Sequence, residues 1–158
     1  MELEIREAVR EDAPVIHRLV QAAFSEYRGV VVPPTEAENE TLEAVITDVE
    51  AGLVLVAWRG DEAVGTARYE LRQDCLYARR VAVPPEQRGQ GVGEALMLHL
   101  EGLARRLGYE RVSLSTRRSL PRNLAFYQRL GYTITKEEPH HRGPDWTVWF
   151  EKDISQAV

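Results

Sequence analysis

The segment Val81-Ala82-Val83-Pro84-Pro85-Glu86-Gln87-Arg88-Gly89-Gln90-Gly91-Val92-Gly93 gathers residue types suited to anion chemistry. It reads as the end of a strand, a glycine-rich turn and the start of a long helix. Gly89, Gly91 and Gly93 alternate along the chain, so the backbone can come close to a ligand and point successive N–H groups at it. The first helical turn adds free N–H groups and the positive end of the helix dipole. Together these make an anion site, most often for phosphate, to which Arg88 can add a charge-assisted contact. Two common nucleotide loops fail on spacing. A P-loop, G-x-x-x-x-G-K-[ST], needs a lysine that follows none of these glycines. A G-x-G-x-x-G fingerprint would put its third glycine at Glu94 or Leu96.

A second constellation lies downstream: Asn123-Leu124-Ala125-Phe126-Tyr127-Gln128-Arg129-Leu130-Gly131-Tyr132. Arg88-x-x-Gly91-x-Gly93 resembles the [QR]-x-x-G-x-[GA] pyrophosphate signature of the GCN5-related N-acetyltransferase (GNAT) superfamily. The downstream segment resembles that family's N-x-x-A-x-x-[FY]-Y-x-x-x-G-[FY] pattern, shortened by one or two residues after Asn123. The resemblance spans essentially the whole chain. It implies that the backbone of Arg88, Gly89, Gln90, Gly91, Val92 and Gly93 holds the pyrophosphate of acetyl-CoA. It also implies that the pantetheine arm lies along Val81, Ala82 and Val83 like an added strand, where a free N–H faces the thioester oxygen. Asn123 would bond the pantetheine, and Phe126 would pack in the core or beside the cofactor. Tyr127 would serve as general acid to the departing thiolate. On residue pattern alone, Tyr127 reads first as a packing aromatic of a short amphipathic helix, sharing a face with Leu124 and Leu130; the acid role comes from the resemblance.

The implied activity is N-acetyl transfer from acetyl-CoA to a primary amine, by direct attack in a ternary complex. Such a site must remove a proton from an amine that titrates near ~10.4 in water. It must also stabilise an oxyanion with a fixed donor and protonate the leaving thiolate. Glu26, Glu70, Asp74, His140 or ordered water could take the amine's proton. The acceptor is expected to enter between Phe24 to Asn39 and Glu137 to Trp146. Tyr27, Trp146 and Trp149, with Glu26, Glu36 and Glu38, would favour a cationic or aromatic amine. Glu36 and Glu38 are more simply read as complements to a helix dipole. The alternatives are a non-catalytic acyl-CoA sensor, a protein or peptide N-acetyltransferase and a nucleotide binder. A small-molecule acceptor is favoured because no tail or further domain is evident.

The elements that must position these residues follow from periodicity. A strand at Leu3 and Ile5 precedes a helix capped by Asp12, with Ile16, Leu19, Val20, Ala23, Phe24 and Tyr27 on one face. Gly29 to Pro34 breaks the pattern and offers a substrate lid or a homodimer interface. Thr35 to Glu38 reads as the capping box of a second helix that carries Leu42, Val45, Ile46 and Val49. Strands are expected over Leu53 to Arg59, Ala63 to Leu71 and Leu76 to Val83, the first two joined by a Gly60-Asp61 turn. A long helix follows from Val92 to Leu107, then a strand from Arg111 to Thr116. A short helix spans Pro121 to Leu130, and two last strands span Tyr132 to Lys136 and Trp146 to Lys152. The order β-α-α-β-β-β-α-β-α-β-β gives an α/β fold, a mixed and mostly antiparallel sheet of about seven strands flanked by helices.

Composition sets the frame. The 158 residues carry a net charge of −5 and are 44% hydrophobic and 28% charged, the balance of one globular domain spanning 1–158. The acidic balance excludes broad nucleic-acid binding, which depends on neutralising phosphates. Yet Arg79 to Arg129 holds ten arginines against four glutamates, enough to receive a compact polyanion. No apolar run approaches the ~20 residues of a membrane span and no signal peptide is evident, so a cytoplasmic site is expected. Cys75 is the only cysteine. A disulfide and cysteine-rich zinc sites are therefore excluded, and Cys75 reads as an unreactive loop thiol. Adjacent His140 and His141 point apart in an extended segment, and His99 is a helix residue. No metal is expected.

Overall fold

The computed structural model describes residues 2–155. Eleven elements appear in the expected order: β1 (Leu3–Glu7), α1 (Ala13–Phe24), α2 (Leu42–Glu50), β2 (Val54–Arg59), β3 (Glu62–Leu71), β4 (Leu76–Ala82), α3 (Val92–Arg106), β5 (Arg111–Arg117), α4 (Pro121–Arg129), β6 (Thr133–Pro139) and β7 (Trp146–Asp153). The seven strands form one sheet in the order β1-β2-β3-β4-β5-β7-β6. Every neighbouring pair is antiparallel except β4 and β5.

The central strands are apolar on both sides because both sheet faces are covered. Val54 to Ala57 of β2 are all buried. On one face, Leu55, Ala67 and Leu114 pack with Leu96 and Leu100 of α3 and Tyr127 of α4. On the other, Val54 and Val56 pack with Ile16 of α1 and Val45 of α2. Gly65 of β3 lets α3 begin against the sheet, since a Cβ there would stand 2.6 Å from Val92 Cγ1. Buried Glu101 of α3 accepts from Tyr132 Oη at 2.9 Å and Lys152 Nζ at 3.0 Å, tying the helix to the last hairpin.

Two helix starts differ from the sequence expectation. Asp12 does not cap α1; its carboxylate accepts from Val9 N–H at 2.9 Å within a 3₁₀ turn, Arg10–Asp12. Thr35 to Glu38 forms no capping box. It leads into a separate 3₁₀ turn, Glu36–Asn39. α2 begins six residues later, where Thr41 Oγ1 accepts from Ala44 N–H at 3.2 Å. The intervening turn is held by tertiary contacts: Gln21 of α1 donates to Ala37 O and Arg28 donates to Glu38 O.

Candidate active site

β4 and β5 pair only at Leu76–Val112 and Tyr77–Ser113. Beyond that point they diverge, and the β4 edge facing β5 has no ladder partner. A bulge starts the divergence. Arg68 of β3 opposes Arg79, while Thr66 opposes Ala82, so β4 carries one extra residue. Arg80 absorbs it with φ +51°, the single non-glycine residue with positive φ among those described.

An ion network holds this strained residue. Arg80 Nε donates to Glu40 Oε2 at 3.3 Å. Glu40 also takes both arms of the fully buried Arg68 guanidinium at 2.5 Å. Arg68 and Arg79 share Asp48 Oδ2, at 3.1 and 2.7 Å, and Arg79 Nε lies 3.2 Å from Glu70. Burial alone would raise the Glu40 pKa. The hydrogen bond from Arg68 and the charges of Arg68 and Arg80 outweigh it and hold the carboxyl below its ordinary value.

After β4, residues Pro85–Gln87 make a 3₁₀ turn. Gly89 and Gly91 then take φ +77° and +80°. A Cβ would meet nothing at either position, so glycine is needed for conformation rather than space. Gly91 is the N-cap of α3, and no side chain caps that end. The first-turn N–H groups are therefore free and open onto a cavity of about 550 Å3. Gly93 serves a different end: a Cβ there would lie 3.0 Å from Phe126 Cζ, so its absence lets Phe126 pack on the start of α3.

Every residue expected to meet the cofactor lines this cavity except Gln90, which is exposed and off its wall. The Arg88 side chain differs from expectation. Its guanidinium donates to Val83 O and Ala23 O, both at 3.1 Å, and pairs with Glu26 at 2.8 Å. It anchors the loop to β4 and α1 instead of standing free. Glu26 also pairs with Arg122. Against the raising effect of burial, the Arg88 hydrogen bond and the charges of Arg88 and Arg122, with Tyr27, hold the Glu26 carboxyl low.

Asn123 stands inside the first turn of α4, and its amide donates to Thr116 Oγ1 at 3.3 Å across to β5. Tyr127 is buried among the rings of Phe126, Phe150 and Tyr132, at centroid distances of 5.0, 5.9 and 6.1 Å. Its hydroxyl makes no hydrogen bond to a described residue. Burial, with Tyr77 and Tyr27 nearby, pushes its pKa well above that of free tyrosine, so it stays protonated at neutral pH.

A second cavity of about 420 Å3 lies on the other side of the gap. Phe24, Val81, Asn123 and Tyr127 line both cavities, so the two meet there. The second wall includes Thr35, Glu36, Glu70, Tyr77, Arg80 and His140. Among the suggested bases, Glu70 is engaged by Arg72 and Arg79. His140 Nδ1 accepts from Arg142 N–H at 3.1 Å. Asp74 and Cys75 line neither cavity, nor do Trp146 and Trp149, and Tyr27 faces the first cavity instead of the second. Among the described residues no cluster of metal-ligating side chains occurs, and no helix is long and apolar enough to cross a membrane.

The model of the acetyltransferase (GNAT) family matches residues 16–132. The chain belongs to the GNAT acetyltransferase family. Similar solved structures agree in fold. One is PaiA N-acetyltransferase from Thermoplasma acidophilum in complex with coenzyme A, with TM-score 0.81, 17% identity, and 97% of this chain and 99% of that one covered. Another is the ribosomal-protein-S18-alanine N-acetyltransferase from Escherichia coli, with TM-score 0.77, 20% identity, and 99% and 97% covered. A third is YncA from Salmonella typhimurium with its cofactor acetyl-CoA, with TM-score 0.74, 18% identity, and 100% and 97% covered. As a GNAT member the protein is an acetyltransferase that uses acetyl-CoA.

Two features of this GNAT site escaped the sequence reading. Tyr77 lines the second cavity, its hydroxyl bonded to Ser115 Oγ at 2.7 Å and its ring 3.6 Å beneath the Arg72 guanidinium. The Arg80 bulge was also unforeseen. Its signal was available: two adjacent arginines interrupt an apolar strand, where regular alternation would put one of them into the core.

Proposed function

We propose that this protein is an N-acetyltransferase that moves the acetyl group of acetyl-CoA directly to a primary amine of a small molecule. One observation carries the proposal. The glycine-loop cavity and the second cavity meet at a wall made by Phe24, Val81, Asn123 and Tyr127, so two substrates entering from opposite sides would touch without an enzyme-bound acyl intermediate.

Each side fits its part. The free N–H groups at the start of α3 and the left-handed Gly89 and Gly91 make a cradle for the CoA pyrophosphate. The unpaired edge at the end of β4, with Val83 just beyond it, offers N–H and C=O groups to the pantetheine amides, Val83 O being shared with Arg88, and an N–H there would meet the developing oxyanion. Asn123 would bond the pantetheine with the amide oxygen that its contact to Thr116 leaves free. As the new C–N bond forms and the C–S bond breaks, the amine gives up a proton to ordered water and the departing sulfur takes one. Tyr127, protonated and with a free hydroxyl, would supply the sulfur's proton and be restored by the one the amine released. The Gly29–Pro34 segment meets the β6–β7 loop next to Thr35, His140 and Arg142 of the second cavity's wall: a Cβ on Gly143 would lie 3.3 Å from Pro33 Cδ. A cavity of about 420 Å3 suits a small acceptor.

Titration calorimetry with acetyl-CoA, with ATP and NAD as controls, tests the cofactor half, and a screen of small amines and peptide N-termini tests the acceptor half. Saturable CoA binding with turnover of small amines is expected. No CoA binding by folded protein would overturn the proposal, and turnover confined to peptides would overturn its small-molecule part.

A further inference from the structure

The second cavity is not uniform in charge. Near the β4 bulge its guanidiniums are matched by carboxylates: Arg72, Arg79 and Arg80 pair among Glu70, Asp48, Glu40 and Glu36. At the outer end the match fails. Arg117 and Arg142 both donate to the same oxygen, Pro34 O, at 3.0 and 3.1 Å, so two guanidiniums converge within about one residue's width. Asp145 supplies one carboxylate, already bonded to Arg117 at 3.4 Å, Ser119 Oγ at 2.5 Å and Trp146 N–H at 2.8 Å. Arg142 has no carboxylate partner among the described residues.

A second observation points to a ligand here. Thr35 follows Pro34 directly and lines the same wall. It is nine-tenths buried, yet its hydroxyl has no hydrogen-bond partner. Buried hydroxyls are seldom left unpaired. His140, beside it on the wall, has its pKa lowered by burial and then by Arg117, His141 and Arg142 against the opposing Asp145, consistent with an excess of positive charge.

We propose that this end of the acceptor cavity is an anion subsite, so that the acceptor amine carries a carboxylate or phosphate remote from the nitrogen that is acetylated. Arg142 supplies the uncompensated charge, Arg117 reinforces it and Thr35 supplies a hydroxyl donor. A distal ammonium would instead face two guanidiniums. Of the carboxylates that suggested a cationic acceptor, Glu26 is paired with Arg88 and Arg122 beside the glycine loop and Glu38 is buried off the cavity wall, while Glu36 lines the cavity but faces Arg80 at the bulge end.

The subsite rests on the transferase proposal, and its test separates the two. Matched amines that differ only in the anionic group serve as probes: amino acids against their carboxamides for the carboxylate, and phosphoethanolamine against ethanolamine for the phosphate. Each pair is assayed for turnover and titrated onto CoA-saturated protein. The anionic member of at least one pair is expected to be favoured by about tenfold or more, the value of a charge-assisted hydrogen bond. In Arg142→Met that ratio should fall toward unity through the acceptor KM, with acetyl-CoA affinity retained as proof of folding. Thr35→Val should lower it by a smaller factor. Equal use of both members, preference for the uncharged ones, or failure of every anionic probe to bind overturns the subsite. Loss of acetyl-CoA binding in the wild type would instead overturn the transferase proposal.

Discussion

On the glycine-loop side of the gap the protein presents backbone: free N–H groups at the start of α3, two left-handed glycines and an unpaired strand edge. On the opposite side it presents side chains, with guanidiniums and carboxylates drawn from β3, β4, β5, the Glu36–Asn39 turn and the β6–β7 loop. The difference matches what each side has to do. A backbone cradle is insensitive to most substitutions and suits one invariant ligand such as CoA. A wall of side chains can be retuned residue by residue, which suits an acceptor that differs from one enzyme to the next.

The largest effect is expected at the ion network behind the acceptor wall. Glu40→Gln leaves the fully buried Arg68 guanidinium without its main partner and should cost about 3–5 kcal/mol of stability, measured by urea unfolding. An effect below ~1 kcal/mol would mean that the network does not hold this side. On the cradle side, Gly91→Glu forces a side chain into φ +80° and sets a negative charge before the phosphates. Acetyl-CoA affinity should fall roughly 30-fold or more by calorimetry, and retained affinity would place the pyrophosphate elsewhere.

A smaller effect sharpens the boundary between the two sides. Arg80→Ala and Arg80→Gly both lose the bond to Glu40, but only glycine accepts φ +51° without strain. The glycine variant should be more stable by about 1 kcal/mol and keep more activity. Equal behaviour would show that the bulge is not held by backbone conformation. The smallest effect is on pH dependence. The folded-state pKa of Glu40 is depressed, so its contribution to stability is complete above the unfolded value of about 4.3 and is lost as pH falls through the lower folded value. The acid limb of a stability–pH curve should therefore flatten in Glu40→Gln, and an unchanged limb would assign the acid sensitivity to other carboxylates.

The same contrast explains what could be read from the sequence. The order of all eleven elements, and the residues that line the glycine-loop cavity apart from Gln90, were legible because they depend on local signals: Gly91 before the apolar stripe of α3, the proline pair after β4, and Gly131 after α4. The acceptor wall was not. Arg68 meets Glu40 across 28 residues and Arg117 meets Pro33 across 84, and no spacing rule announces such partners. Thr35 to Glu38 shows the same limit at short range. Its residue types fit a capping box, but contacts from Gln21 and Arg28 fix a 3₁₀ turn there, and the helix waits for Thr41. Tyr127 was legible as a position, whereas its free hydroxyl and raised pKa came from burial among Phe126, Phe150 and Tyr132.

Tyr127 stands where the two cavities meet, and Tyr127→Phe removes one hydroxyl while leaving both cavities lined as before. Steady-state rates with a turned-over amine, read beside calorimetric acetyl-CoA affinity, test its role most directly. The arrangement predicts a kcat lower by on the order of 100-fold, the usual contribution of a general acid, with acetyl-CoA affinity unchanged. An unchanged kcat would contradict it, and would mean that the departing thiolate takes its proton from another source.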